Sequence, residues 1–120
     1  MTIKKLLIAN RGEVAVRIAR AAADLDIATV AVYPADDERA LHTRVADRAV
    51  ALSGQGVAAY LDGEQLVKVA LEQGCDAVHP GYGFLSESRD FAAACVDAGL
   101  IFVGPDARTP KTSKSNKVKL

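Results

Sequence analysis

The chain is predicted to be an α/β domain, a Rossmann-like doubly wound parallel sheet of about five strands, and three observations carry that prediction. Short apolar runs alternate with segments of helical periodicity. Each intervening segment is long enough for a crossover that returns the next strand parallel. Glycine, proline or a capping residue stands at nearly every change of pattern. The expected strand order is 3-2-1-4-5, which sets the first and fourth strands on either side of the topological switch point.

Residues 4–10, Lys-Lys-Leu-Leu-Ile-Ala-Asn, read as the first strand, and their unbroken apolar centre suits burial on both faces. Arg11 and Gly12 turn the chain. From Glu13 to Leu25 the stripe Val14, Ile18, Ala21/Ala22 and Leu25 follows a helical period, with Glu13/Arg17 and Arg20/Asp24 as opposite charges four apart, each pair worth about 0.2–0.5 kcal/mol. Thr29–Tyr33 is the second strand, stopped by Pro34. Residues 36–48 are charged and mixed, a short helix or turn with Leu41 and Val45 expected inward. Ala49–Leu52 is the third strand and Ser53–Gly56 a loop. Asp62 is placed to cap a helix with Gln65 as the reciprocal partner, Leu66, Val69, Ala70 and part of Val67 facing inward, and Gly74 ending it. Cys75–Val78 is the fourth strand. Ser86 is expected to open a helix to Ala98 with Phe91, Ala94/Cys95 and Ala98 inward, and Leu100–Val103 is the last strand before Gly104-Pro105.

Composition narrows the class. At 120 residues, half hydrophobic and a quarter charged, the chain suits one soluble globular domain. It holds no apolar run long enough to span a membrane, and its start does not read as a secretory signal, so a cytoplasmic setting is expected, or the mitochondrial matrix for a eukaryotic source. Net charge is zero, yet Arg108, Lys111, Lys114, Lys117 and Lys119 face no acidic residue beyond position 107, which leaves the body mildly acidic. The tail 108–120 lacks aromatic residues and amphipathic period, so it is read as disordered or non-native and not as a nucleic-acid or membrane contact. Cys75 and Cys95 form no Cys-x-x-Cys pair and only two histidines exist; no metal site is expected. Both cysteines read as buried small hydrophobes.

Function is expected at the stretch Gly74–Glu87. A strand that breaks on Pro80, Gly81 and Gly83 and then feeds a helix presents a ligand at the carboxyl edge of a sheet. His79, Tyr82, Ser86 and Glu87 fall within nine positions there, beside glycines that let a ligand approach the backbone. The plainer reading is a tight connection with half-buried loop residues. With the predicted order, the loops after Asn10 and His79 lie side by side, so Arg11, Glu13, His79 and Tyr82 are expected along one crevice. A dinucleotide fold would place Gly-x-Gly-x-x-Gly after the first strand, and Asp36 or Asp37 could mimic its ribose-binding acid. Asn10-Arg11-Gly12-Glu13 has a single glycine, which argues against nicotinamide binding. No Walker loop, Gly-x-Ser-x-Gly or His-Glu-x-x-His occurs.

The long motifs go further. Ile8-Ala9-Asn10-Arg11-Gly12-Glu13-Val14-Ala15-Val16-Arg17-Ile18, Val30–Tyr33, Arg44–Asp47, Tyr60-Leu61, His79-Pro80-Gly81-Tyr82-Gly83-Phe84-Leu85-Ser86-Glu87 and Phe102–Pro105 resemble the N-terminal, pre-ATP-grasp domain of biotin carboxylase. This component opens acyl-CoA, pyruvate and urea carboxylases, and the resemblance covers residues 3 to about 107.

What the resemblance implies is a ligase reaction in which ATP and bicarbonate form carboxyphosphate and biotin is carboxylated on its ureido nitrogen. Biotin and Mg-ATP are the cofactors of the full-length enzyme, and none is expected to bind this chain tightly. The ATP-grasp domains would supply nucleotide, magnesium and base groups. A biotin carboxyl carrier domain and a carboxyltransferase would be further partners. Carried over by position, Tyr82 and Gly83 border the biotin ring, His79 and Glu87 shape the wall, and Asn10, Arg11 and Glu13 form the neighbouring edge. Arg20 and Asp24 fall at the subunit interface of dimeric members. No catalytic residue is assigned to residues 1–107, read as the domain, or to the tail. Past Gly104-Pro105 the family continues through a Gly-Asp-Lys segment into the ATP-grasp domains, whereas Ala107–Leu120 does not, so a fragment or shifted frame inactive by itself is expected. The alternatives are a stand-alone nucleotide-binding module and a dimerisation module.

Overall fold

The computed structural model describes residues 3–104. β1 (Lys5–Ile8), β2 (Ala28–Tyr33), β3 (Arg48–Ala51), β4 (Ala77–His79) and β5 (Ile101–Phe102) form one parallel sheet in the order β3-β2-β1-β4-β5. Both the class and the order match the expectation. α1 (Gly12–Asp24) and α2 (His42–Val45) follow the first two strands; α3 (Gly56–Tyr60), α4 (Gly63–Glu72) and α5 (Arg89–Asp97) follow the next two. Leu6 and Ile8 pack with Ala15, Ile18 and Ala22 of α1, while Leu7 and Ala9 join the other core with Tyr60, Leu66, Phe91 and Cys95. The pleat sends successive side chains to opposite faces, so an uninterrupted apolar strand feeds two cores at once.

The helix ends follow local chemistry. Asp62 accepts from the backbone N–H of Gln65 at 3.2 Å, as a cap should. The reciprocal contact reaches the Asp62 carboxylate and not its N–H, from Gln65 Nε2 at 3.2 Å. The same amide accepts from the Ser53 N–H at 2.7 Å and donates to its carbonyl at 3.3 Å, fastening the post-β3 loop to α4. At the end of α1 the N–H of Ile27 reaches the Ala22 carbonyl and that of Asp26 the Ala23 carbonyl, with Asp26 at φ 60°. This Schellman turn ends the helix a residue early and turns Leu25 outward, 56% exposed against the expected burial, and Ile27 packs against the core instead.

Three further expectations are corrected. Ser88, not Ser86, caps α5, its Oγ accepting from the Phe91 N–H at 3.1 Å; Ser86 is held in a turn by the Gly83 carbonyl. That register buries Ala92 with Phe91 and Cys95 and leaves Ala94 exposed. Leu41 is 57% exposed, and the next residue, His42, is buried in its place because its Nε2 reaches the Val32 carbonyl at 3.0 Å. The loop expected over Ser53–Gly56 gives way at its last residue to the short helix α3, a segment to which the sequence assigns no element. Both cysteines are buried and unpaired, with burial pushing the thiols up to about 11 for Cys75 and about 12 for Cys95, so both stay protonated.

At the amino edge of the sheet, Asp76 accepts from the Lys4 and Lys5 N–H groups and Asp47 from that of Thr29. These carboxylates tie β4 and β3 to their neighbours. No helix among the described residues is long and apolar enough to cross a membrane. The tail 108–120 and Pro105 lie outside the described residues.

Candidate functional site

Because β1 and β4 are adjacent and leave the sheet in the same direction, the loops that follow them meet at the carboxyl edge. The Ala9 N–H donates to the His79 carbonyl at 2.9 Å, one step beyond the ladder. Asn10 then turns inward and is 2% exposed. Its Nδ2 donates to the carbonyls of Pro80 at 2.6 Å and Tyr82 at 2.8 Å, and its Oδ1 accepts from the Arg11 N–H at 2.7 Å. Both amide hydrogens are used, so the 80–82 turn is folded around one buried side chain. Gly81 sits at φ 69°, and a Cβ there would lie 2.6 Å from Asn10 Nδ2 and 2.7 Å from Val14 Cγ1. Glycine is required twice over, for backbone conformation and for space.

His79 closes β4 with its ring half-buried. The Gly81 N–H donates to His79 Nδ1 at 3.1 Å, which assigns the ring proton to Nε2, and burial pushes the imidazole down to about 4. The ring is neutral at pH 7. Beyond it the loop changes character: Tyr82 is 79% exposed, and Gly83, at φ 68°, has no atom within 4 Å of where a Cβ would stand. An aromatic face and bare backbone are thus presented together to the outside on a clamped turn.

The remaining expected site residues divide. Arg11 does not face the His79 loop. Its Nε and Nη2 donate to the two oxygens of Asp37 at 2.8 and 2.9 Å, in the bidentate geometry that suits guanidinium and carboxylate. Glu13 pairs at 3.1 Å with Arg17, both exposed, while Arg20 and Asp24 stand exposed on the same helix and form no ion pair with each other. Glu87 is exposed in the turn before α5. Asp36 accepts from the Gly56 N–H at 3.1 Å and Asp37 is committed to Arg11, so both acids suggested as ribose mimics are occupied. The structure therefore joins Asn10, His79 and the Tyr82 turn, and sends Arg11 and Glu13 elsewhere.

A second set of groups escapes sequence reasoning. The Tyr60 hydroxyl donates to Asp37 Oδ2 at 2.8 Å and lies 3.3 Å from His42 Nε2. The Arg11 bond holds the Asp37 carboxyl below its ordinary range; burial pushes the Tyr60 phenol up and the His42 imidazole down. The Tyr60 ring also meets that of Phe84 at 5.6 Å between centroids. Among the described residues no cluster of His, Cys, Asp and Glu could hold a metal ion.

A doubly wound parallel sheet with its two switch-point loops locked together, and an aromatic tip turned outward at its carboxyl edge, defines a Rossmann-like α/β domain. The family model described as "Biotin carboxylase, N-terminal domain" matches residues 2–109. Mitochondrial pyruvate carboxylase of Rattus norvegicus is 56% identical over 106 residues, 86% of this chain and 9% of the relative. Biotin carboxylase 1 of Bacillus subtilis is 53% identical over 106 residues, 88% of this chain and 24% of its own length. Among solved structures, the biotin carboxylase domain of a single-chain bacterial carboxylase superposes with a TM-score of 0.85 at 63% identity, over 87% of this chain and 24% of that one. The chain belongs to the biotin carboxylase N-terminal domain family. It spans under a quarter of the length of these relatives.

Proposed function

We propose that this domain works as the N-terminal part of an ATP- and bicarbonate-dependent biotin carboxylase, and that its 80–84 turn forms one edge of the biotin pocket. The exposed Tyr82 ring on a backbone fixed by Asn10 carries the proposal. A flat apolar ring beside the bare backbone of Gly83 suits a small bicyclic ligand that needs one face covered and its polar edge left open. Biotin bound there would offer its ureido nitrogen for carboxylation. The neutral His79 supports the turn from behind through the Gly81 N–H. The resemblance assigns Mg-ATP and the catalytic groups to ATP-grasp domains, with the carrier domain and carboxyltransferase as further partners. A biotin carboxylase domain of 2-oxoglutarate carboxylase is described as bound to bicarbonate, which supports bicarbonate as a substrate of the whole domain. The setting we infer is the bacterial cytoplasm or, for a eukaryotic source, the mitochondrial matrix, since relatives of both kinds exist.

In a biotin carboxylase that carries this domain, Tyr82→Ala should lower biotin carboxylation about tenfold, the worth of one aromatic contact, and leave bicarbonate-dependent ATP hydrolysis within about twofold. Equal loss of both activities would remove the turn from the biotin site.

For self-association we propose the α1 face carrying Arg20 and Asp24. Both are exposed and not paired with each other, and a related biotin carboxylase domain from Hydrogenobacter thermophilus is described as a dimer. Sedimentation should give a concentration-dependent mass that Arg20→Glu abolishes; a mass indifferent to that change would exclude this face.

A further inference from the structure

The contacts at the carboxyl edge close on themselves. Asn10 is bonded to the Tyr82 carbonyl; its neighbour Arg11 is held by Asp37; Asp37 accepts from Tyr60; Tyr60 packs on Phe84; and Phe84 lies two residues from Tyr82. The circuit joins the loops after β1, β2 and β4 with α3, elements otherwise separated by whole crossovers. It grips the exposed tip from both ends, by hydrogen bonds at 80–82 and by the ring contact at 84.

We propose that Asp37 and Tyr60, with Asn10, are positioning residues that set the conformation of the Tyr82 tip without touching what binds there. Two observations favour this over plain loop packing. Phe84 holds φ 48°, a left-handed conformation that a bulky side chain adopts only where its surroundings impose it, and the surroundings here include the Tyr60 ring. The grip also runs through a carboxylate, a guanidinium and a phenol at the site edge. Apolar side chains would bury the same volume with less desolvation, whereas this set fixes direction. The role of the tip in biotin binding rests on the function proposed above, but the positioning itself does not.

Tyr60→Phe keeps the ring against Phe84 and deletes the bond to Asp37; Asp37→Asn keeps the shape and removes the charge that holds Arg11. In the 120-residue chain, hydrogen exchange should quicken about tenfold or more at the protected amides of Gly81 and Ser86, and stay within about twofold at Leu7 and Val30 in the sheet. No change at Gly81 and Ser86, or equal quickening throughout, would overturn the proposal. Should Asp37→Asn fail to fold, Tyr60→Phe decides alone, since its hydroxyl is the smallest group whose loss opens the circuit. In a complete carboxylase the same variants should raise the KM for free biotin several-fold and leave bicarbonate-dependent ATP hydrolysis unchanged. Faster exchange with an unmoved biotin KM would sustain the positioning role and remove the tip from the biotin site.

Discussion

Gly81→Ala is expected to destabilise the domain by about 4 kcal/mol. The left-handed backbone at φ 69° costs an L-residue about 1 to 2 kcal/mol. The new methyl would stand 2.6 Å from Asn10 Nδ2 and 2.7 Å from Val14 Cγ1, well inside contact distance. Neither neighbour is free to withdraw. Val14 leans on the α1 core, and Asn10 retreats only by giving up the Pro80 and Tyr82 carbonyls, which leaves a buried amide donor without a partner at about 1 to 3 kcal/mol. In urea the unfolding midpoint should fall by about 1.3 to 4 M, given slopes of about 1 to 3 kcal/mol per M usual for small domains. A fall below about 0.5 M would mean that the turn opens without needing the Asn10 amide.

Acid should weaken the fold well above the carboxylate range, through His79. Its imidazole sits at about 4 in the folded chain, against the ordinary 6.5, because burial disfavours the cation. Between those values the unfolded chain takes up the proton and the folded chain does not. Stability is therefore full above about pH 6.5 and falls as the pH drops towards 4. A shift of this size corresponds to at most about 3 kcal/mol, and solvent reaching the half-buried ring reduces the expected loss to about 2 kcal/mol. A proton on Nδ1 would also face the Gly81 N–H that now donates to it. Burial likewise holds His42 down, so it adds a loss of the same sign; the His79 part is what His79→Gln removes from the slope of unfolding free energy against pH. An unchanged slope in that variant would assign the whole dependence to other groups.

The sheet is legible in the sequence because its signals are periodic. Leu6-Leu7-Ile8 reads as buried on both faces, α4 carries its cap and stop, and glycine and proline punctuate the joins, so strand order follows from connection length and the parallel rule. Signals weaken where elements shrink to one turn. Residues 36–48 and 56–60 hold elements too short for a stripe to establish itself, so the pattern points Leu41 inward when His42 is the residue buried. At Leu25 the helical period continues by itself, and only the Asp26 turn reveals that the chain has already left the helix. The site divides in the same way. Proximity of the Asn10 and His79 loops follows from topology, but Arg11 choosing Asp37 depends on side-chain reach across two loops 26 positions apart, and no spacing announces it. Tyr60 sits in a short helix beside Leu61, where one buried phenol has no period to mark it.

The Asn10 clamp joins residues 70 and 72 positions apart, and β1 lies in the middle of the sheet with its second partner, β4, encoded far downstream. A chain emerging from the ribosome can pair β1 with β2 and β2 with β3 while one whole edge of β1 stays bare. Closing that separation is an entropic step that the local helices do nothing to shorten. The tip that carries Tyr82 therefore cannot take its shape early: until β4 arrives, Asn10 has neither carbonyl to hold. Assembly of this turn cannot precede the docking of β4, and a chain interrupted before Pro80 lacks both carbonyls that Asn10 holds.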